Sequence, residues 1–464
     1  MHENLPNGTT VVDDGDTCQR ALLPGLRHPS NDPSEIRQRT RVSLVLQALR
    51  APLHVINLTI LAVVVGALSG VGSWALFEAL DAATTSRLDN AWLVWLLPVA
   101  AFALGFAYHH YGGEARRGTS LVIGESLPPD DPTTPEPTPS VPRRMAPMIF
   151  CATYIAQLTG ASVGREGAAL QIGGSLTSLL LRPFRLSAHD RRLMLVAAMA
   201  GAFGGAFGVP MAGAVFALEV QRTGRLRYEA LAPALAASIA ADRVVEGLGR
   251  STPLVNIDVG NVDLDVLWRL ALVGLACGLA ARLFIVSHHQ VKAAVTRLVA
   301  YVPARPVVGA VATLALMALF GRDYLGLSLP LVENALAGNT ADWWEPVLKI
   351  VFTAIALGSG IPGGEVTPLF VVGATLGSAL ASPLGLDPRL AAMAALPAAF
   401  GAAANTPIAC ALLAIELFGG SLALPAALAC IVAYAVSPER GIYEGQRAGS
   451  TKDLRASAAR PPRA

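Results

Sequence analysis

"GGAFGVPMAGAVFALEV", residues 204–220, and "GAAANTPIACALLAIEL", residues 401–417, are two copies of one pattern. Gly204 stands opposite Gly401, Pro210 opposite Pro407 and Glu219 opposite Glu416, each pair 197 residues apart. A weaker match upstream sets "GREGAALQIGG" (164–174) against "GGEVTPLFVVG" (363–373) and aligns Glu166 with Glu365 at a spacing of 199. Two motifs in the same order at nearly constant spacing indicate an ancient duplication. Each motif begins with glycine-rich backbone and continues as an apolar run, the pattern of a helix that starts abruptly.

Composition gives the medium in which those helices start. Of the 464 residues, 53% are hydrophobic and 15% charged, with a mean hydropathy of +0.50. Soluble domains carry about 25% charge, so a polytopic membrane protein is expected. Five charge-free runs, 51–77, 194–218, 366–386, 390–415 and 417–438, each reach the roughly 20 residues that cross a bilayer. The net charge of +2 points to no nucleic acid and no acidic partner. Cys18, Cys151, Cys277, Cys410 and Cys430 are odd in number and scattered without ligand spacing, so they read as small packing residues, and no metal or cofactor is expected. Residues 1–43 are polar and interrupted by Pro and Gly, so no signal peptide is predicted.

Both ends read as disordered tails: an arm over 1–45 and a tail over 438–464, flanking a membrane domain at 46–437 with halves at about 50–247 and 262–437. Arg37, Arg39, Arg41 and Arg50 precede the first span, and Arg440, Lys452, Arg455, Arg460 and Arg463 follow the last, which places both termini in the cytoplasm and makes the crossings even in number. Arg143 and Arg144 at the end of a proline-rich loop (128–147) place that loop on the same side, and Trp74, Trp92, Trp95, Trp343 and Trp344 sit where interfacial anchors belong. Glycine and proline interrupt nearly every apolar run. Irregular backbone in hydrocarbon leaves amides unpaired at several kcal/mol each, so it must face protein or a wet cavity. Duplicated membrane halves with broken helices are the build of transporters, with the binding site at the repeat interface. A helix N-terminus presents free N–H groups and a positive dipole end, for which an anion is the natural occupant.

At this point the residues resemble those of the CLC chloride channel and anion/proton exchanger family, from about residue 50 to 446. "GREGAALQIGG" is similar to its GREGP element, "GSGIPGGEVTPLF" (358–370) stands in the place of its GGIFAP element, and Tyr443 in "RGIYEGQ" matches its late pore-lining tyrosine. The family's GSGIP element is replaced by "GTSLVIGES" (118–126), with Thr119 and Ser120 near its anion-binding serine. With "GGEVTP", "GAAANTPIAC" and "VPRRMAP", this resembles the fluoride-handling branch. The place of the inner proton-transfer glutamate holds Val220, which leaves proton coupling to another inner route. The resemblance implies an all-α fold of two inverted halves, fluoride export against proton entry, a cell-membrane homodimer with one pathway per subunit, and no ATP regulation, since 27 residues from Pro438 onward are too few for paired nucleotide-sensing domains. A chloride-selective channel or chloride/proton exchanger is the alternative.

It also implies an anion site drawn from Gly118, Thr119, Ser120, Gly164, Arg165, Gly167, Gly364, Glu365, Val366, Thr367 and Tyr443, with Glu166 as gate and proton-transfer acid. A deprotonated Glu166 would occupy the outer anion position and a protonated one would swing aside; the plain alternative is a salt bridge to Arg165, although adjacent helical residues diverge. Arg165 reads as structural, capping carbonyls or pairing a nearby carboxylate. Glu365 is either a second carboxylate beside the pathway or a support for its loop. Thr367 either offers the ion its hydroxyl or caps a helix. Tyr443 either donates to a central ion or anchors the last helix. Glu219 and Glu416 read as caps or partners at helix ends, and Asn405 as a turn residue before Pro407. Fluoride is strongly hydrated, and the hydroxyls of Thr119, Ser120, Thr367 and Tyr443 are the donors available to replace its water. A rival of another class is an intramembrane serine hydrolase: "GASVG" (160–164) fits G-x-S-x-G around Ser162, which then needs a histidine base within reach.

Overall fold

The computed structural model describes residues 33–129, 138–251, 262–447 and 449, with side chains from Leu53 onward. The chain divides into two units, residues 1–54 and 55–464. Of the first, the backbone from Pro33 is helical, so the arm expected to be disordered to residue 45 is helix over 33–45; its earlier part lies outside the described residues.

Sixteen α-helices and no named strand make up the described residues. The first half runs α1 (Pro33–Asp89), α2 (Leu97–Tyr111), α3 (Thr119–Ser126), α4 (Met145–Leu158), α5 (Glu166–Leu180), α6 (Ala188–Phe207), α7 (Pro210–Glu219) and α8 (Leu231–Gly247). The second runs α9 (Leu264–Leu298), α10 (Arg305–Phe320), α11 (Leu329–Leu336), α12 (Glu345–Gly358), α13 (Val366–Leu384), α14 (Pro388–Ala404), α15 (Pro407–Phe418) and α16 (Ala423–Val436). The two series match in order: a long first helix, an eight-residue third and fourteen-residue fourth in each. The protein is an all-α polytopic membrane protein of two inverted halves with broken helices.

Five helical segments are long and apolar enough to span a membrane: Leu53–Asp89, Ala91–Tyr111, Leu264–Leu298, Val302–Phe320 and Val366–Leu384. This corrects the reading of runs 194–218, 390–415 and 417–438 as single crossings. The first is cut at Gly208 (φ 68) and the second at Asn405 (φ 56), both left-handed caps followed two residues on by a proline. Proline at the first helical position has no N–H to continue the previous helix, so the chain restarts. The third run is divided by Gly419 (φ 96) between α15 and α16.

The restarts are closed by exchange between the halves. Glu219, the last residue of α7, accepts from Ile408 N (3.2 Å) and Ala409 N (2.9 Å) at the start of α15. Glu416 on α15 accepts from Met211 N (2.9 Å) and Ala212 N (2.7 Å) at the start of α7. Each half's glutamate thus satisfies orphan N–H groups of the other half's broken helix. The first and last helices of each half meet through small residues: a Cβ on Gly66 or Gly70 would collide with backbone of Ala237 or Ala241, and one on Gly274 with Ala429 backbone. Such small-x-x-x-small faces let helix backbones approach where hydrocarbon supplies no hydrophobic drive.

The tail is a second correction. Its described part folds back into the protein: Ile442 N donates to Ala403 O (2.9 Å), Gln446 Nε2 to Ala404 O (3.0 Å), Arg447 N to Gln221 O (3.0 Å), and Lys292 to the Glu444 carboxylate (2.7 Å). The carbonyls at the end of α14 have no intrahelical partner, and this segment supplies the donors. Cys277, Cys410 and Cys430 are buried free thiols, Cys151 is an exposed one, and Cys18 lies outside the described residues.

Candidate functional site

The starts of α5 and α13 meet. Gly164 N donates to Gly364 O (2.7 Å) and Gly364 N to Gly164 O (2.9 Å), an antiparallel bridge joining the two halves. Glycine is required by proximity: a Cβ on Gly363 would lie 2.3 Å from Val163 Cβ, and one on Gly364 would lie 2.9 Å from Gly167 N. Helix starts can approach this closely only where no side chain intervenes.

Glu166, the first residue of α5, is 2% exposed, and its carboxylate lies on the start of α13. It accepts from Thr367 N (3.2 Å), from Thr367 Oγ1 (2.6 Å to either oxygen) and from Arg165 N (3.2 Å). A buried acid of one half therefore fills the donor cluster at a helix N-terminus of the other, where the dipole and free N–H groups favour negative charge. The Arg165–Glu166 salt bridge is a secondary contact: Nε stands 3.5 Å from Oε1 and makes no hydrogen bond. Arg165 pairs instead with Asp81 (3.2 Å) and lies 4.1 Å over the Phe77 ring, so its side chain is engaged by scaffold residues.

A cavity of about 370 Å³ lies beside the bridge, lined by Gly118, Gln171, Gly363 and Glu365 among others. A Cβ on Gly167 would sit 3.2 Å from both Gly364 Cα and Thr119 Oγ1, and 3.9 Å from Glu365 Oε2, so these four residues form one cluster. Val366, fully buried, begins α13 beside them. Thr119 does not serve as a free donor: its hydroxyl donates to Gly167 O (3.2 Å) and accepts from Gln171 Nε2 (3.3 Å). Ser120 is half-buried and its carbonyl abuts Gly445 of the returning tail. That return encloses Tyr443, 3% exposed, whose hydroxyl has no hydrogen-bond partner among the described residues. A buried phenol without a partner is costly unless something occupies the space it faces.

Sequence reasoning missed Gln171, although it lies one turn after Gly167 on the same face of α5. It also missed Lys349, which is fully buried on α12 and donates to Ser162 Oγ (2.9 Å), Ser328 Oγ (2.8 Å), Gly326 O (2.9 Å) and Tyr324 O (3.3 Å). No motif marks it. Ser162 is fully enclosed; its hydroxyl is held by Lys349 and Thr353 (3.0 Å), with no histidine among its partners. A nucleophile needs access and a base with a free lone pair, and an amine donating to several oxygens offers none, so the hydrolase reading of Ser162 is set aside.

Inverted halves, helix starts facing one another across a glycine bridge, and a buried carboxylate on the donors of one of those starts are the build of a membrane protein that handles anions. The voltage gated chloride channel family model matches residues 100–438, and the chain belongs to that family, the CLC proteins. It is 43% identical over 403 residues to the "Chloride/fluoride channel protein" of Pseudomonas syringae pv. tomato, covering 85% of this chain and 87% of that one. It is 27% identical over 419 residues to the "H(+)/Cl(-) exchange transporter ClcA" of Vibrio parahaemolyticus, covering 82% and 86%. Among solved structures, a CLC-type fluoride/proton antiporter superposes with a TM-score of 0.79 at 28% identity, over 85% of this chain and 98% of that one. A slow cyanobacterial Cl−/H+ antiporter shares the fold, with a TM-score of 0.68 at 20% identity over 88% and 99%.

Proposed function

We propose that this protein carries halide across the cell membrane, exporting fluoride in exchange for entering protons, with Glu166 as both gate and proton carrier. The observation that carries the reading is the Glu166 carboxylate on Thr367, because an acid seated where an anion would sit competes with that anion for the same donors. Protonation removes its charge and its claim on the Thr367 donors, so the seat opens as a proton is taken up. The names of the relatives support fluoride as the cargo.

Fluoride gives up more hydration free energy than chloride and needs close donors in return. Thr367, the unpaired Tyr443 hydroxyl and Ser120 are the candidates; Glu365, lining the cavity, is the second acid near the route that Val220 leaves open. The protein acts as a homodimer with one pathway per subunit, with both termini in the cytoplasm. It works as a transporter and not as an enzyme.

A chloride/proton exchanger is the second reading, favoured by the 27% identical relatives named for that exchange. Purified protein in liposomes with a pH reporter separates the two. Fluoride efflux that draws protons inward supports the first; chloride flux outpacing fluoride supports the second. Proton movement at the normal ratio in Glu166→Gln removes the acid from its assigned role.

A further inference from the structure

We propose that a second cavity, between the end of α1, the end of α4 and residues 322–330, is an anion-receiving chamber in series with the Glu166 seat, with Arg87 as the cation that holds a small monovalent anion there. The inference rests on the reading of the chain as a halide carrier and adds a site to it.

The cavity is about 220 Å³, and Arg87, Gln157, Arg322 and Ser328 line it. Arg87 is 8% exposed and makes no hydrogen bond to any described residue; its Nε is buried and unpaired. Behind it stands Lys349, whose four acceptors are all neutral oxygens and which shares Ser328 with the cavity wall. Arg87 and Lys349 therefore lie within electrostatic reach of each other, and no carboxylate among the described residues is bonded to either. The acids that also line the chamber do not neutralise them. Asp81 is already held by Arg165 (3.2 Å) and Arg250 (2.7 Å), and Asp323 is exposed beside the exposed Arg322. Unpaired buried charge is strongly unfavourable in a membrane protein and marks an ion site by default.

Two helices run between this chamber and the larger cavity beside the glycine bridge. On α4, Ile149 lines the larger cavity and Gln157 this one, eight residues or about 12 Å along the axis. On α12 the order is reversed, from Lys349 near this chamber to Gly358 at the larger cavity. The segment leading to Glu166 passes each basic side chain in turn: Gly160 packs under Arg87, Ser162 is held by Lys349, and Arg165 meets Asp81 just before Glu166.

The test reads initial transport rates in liposomes against fluoride and, separately, chloride concentration on each side of the bilayer. Arg87→Gln is expected to raise the half-saturating halide concentration at least fivefold on the chamber side only, with the maximal rate within twofold of wild type, and Arg87→Lys to restore most of the affinity. Raising ionic strength should weaken wild-type affinity on that side and leave Arg87→Gln unaffected. Unchanged half-saturation, or a loss of maximal rate alone, overturns the proposal. Wild-type crystals soaked in bromide give a readout independent of cargo, coupling and variant folding: an anomalous peak within hydrogen-bonding reach of the Arg87 guanidinium is expected, and its absence rejects the site.

Discussion

Two pairs of glutamates occupy equivalent places in the two halves and have different fates. Glu219 and Glu416 do the same thing, each accepting from two backbone N–H groups that open the other half's restarted helix. Glu166 and Glu365 do not. The first is buried on Thr367 across the bridge, whereas the second lines the larger cavity and makes no matching hydrogen bond to the α5 start among the described residues. The duplication is kept in the capping pair and broken in the pair at the bridge, where the proposed function puts the ion. A symmetrical pathway offers equivalent seats on both sides; under the proposed function, one acid placed asymmetrically is what gives the route a gate.

The sharpest way to break the contrast is Glu166→Gln. Its carboxamide is permanently neutral, so halide flux should continue while coupled proton movement falls to background, as a pH reporter in liposomes will show. The scaffold pair should respond differently: Glu219→Ala and Glu416→Ala each strand two N–H groups, at about 1–3 kcal/mol per unsatisfied buried group. Glu219 is 4% exposed and Glu416 only half-buried, so the first should lower the unfolding midpoint in detergent more, with both variants keeping the wild-type proton-to-halide ratio. Thr367→Val removes the hydroxyl but keeps the N–H. It should reduce halide affinity about tenfold, the equivalent of roughly 1.4 kcal/mol, and Thr367→Ser should restore it. Tyr443→Phe deletes a hydroxyl that has no partner among the described residues, so thermal stability should be unchanged while halide affinity falls a few-fold, read by titration calorimetry. A stability loss there would show that the phenol is bonded within the protein.

The repeat was legible because proline and glutamate recur at a constant spacing, and both restarts follow from Pro210 and Pro407. The apolar runs misled because hydropathy is blind to a left-handed residue such as Asn405, which turns the chain without adding charge. Glu166 and Thr367 were recognisable from motif context, yet their hydrogen bond spans 201 residues and no local pattern encodes it. Thr119 illustrates the opposite error: a hydroxyl in the right place whose proton is already committed to Gly167. The tail looked unstructured because its partners are backbone carbonyls at the end of α14, which leave no trace in composition. Arg87 and Lys349 are single charges without a signature, visible only once their missing counterions can be seen.

The reciprocal capping by Glu219 and Glu416 bears on how such a chain came to exist. A lone half would carry a capping acid with nothing to cap and a raw helix start with nothing to close it, so neither half is self-sufficient. Two identical copies inserted in opposite directions would close both gaps at once through a two-fold axis lying in the membrane plane. Gene fusion would then tether a partnership that symmetry had already made complete, and only afterwards would the two central acids be free to diverge.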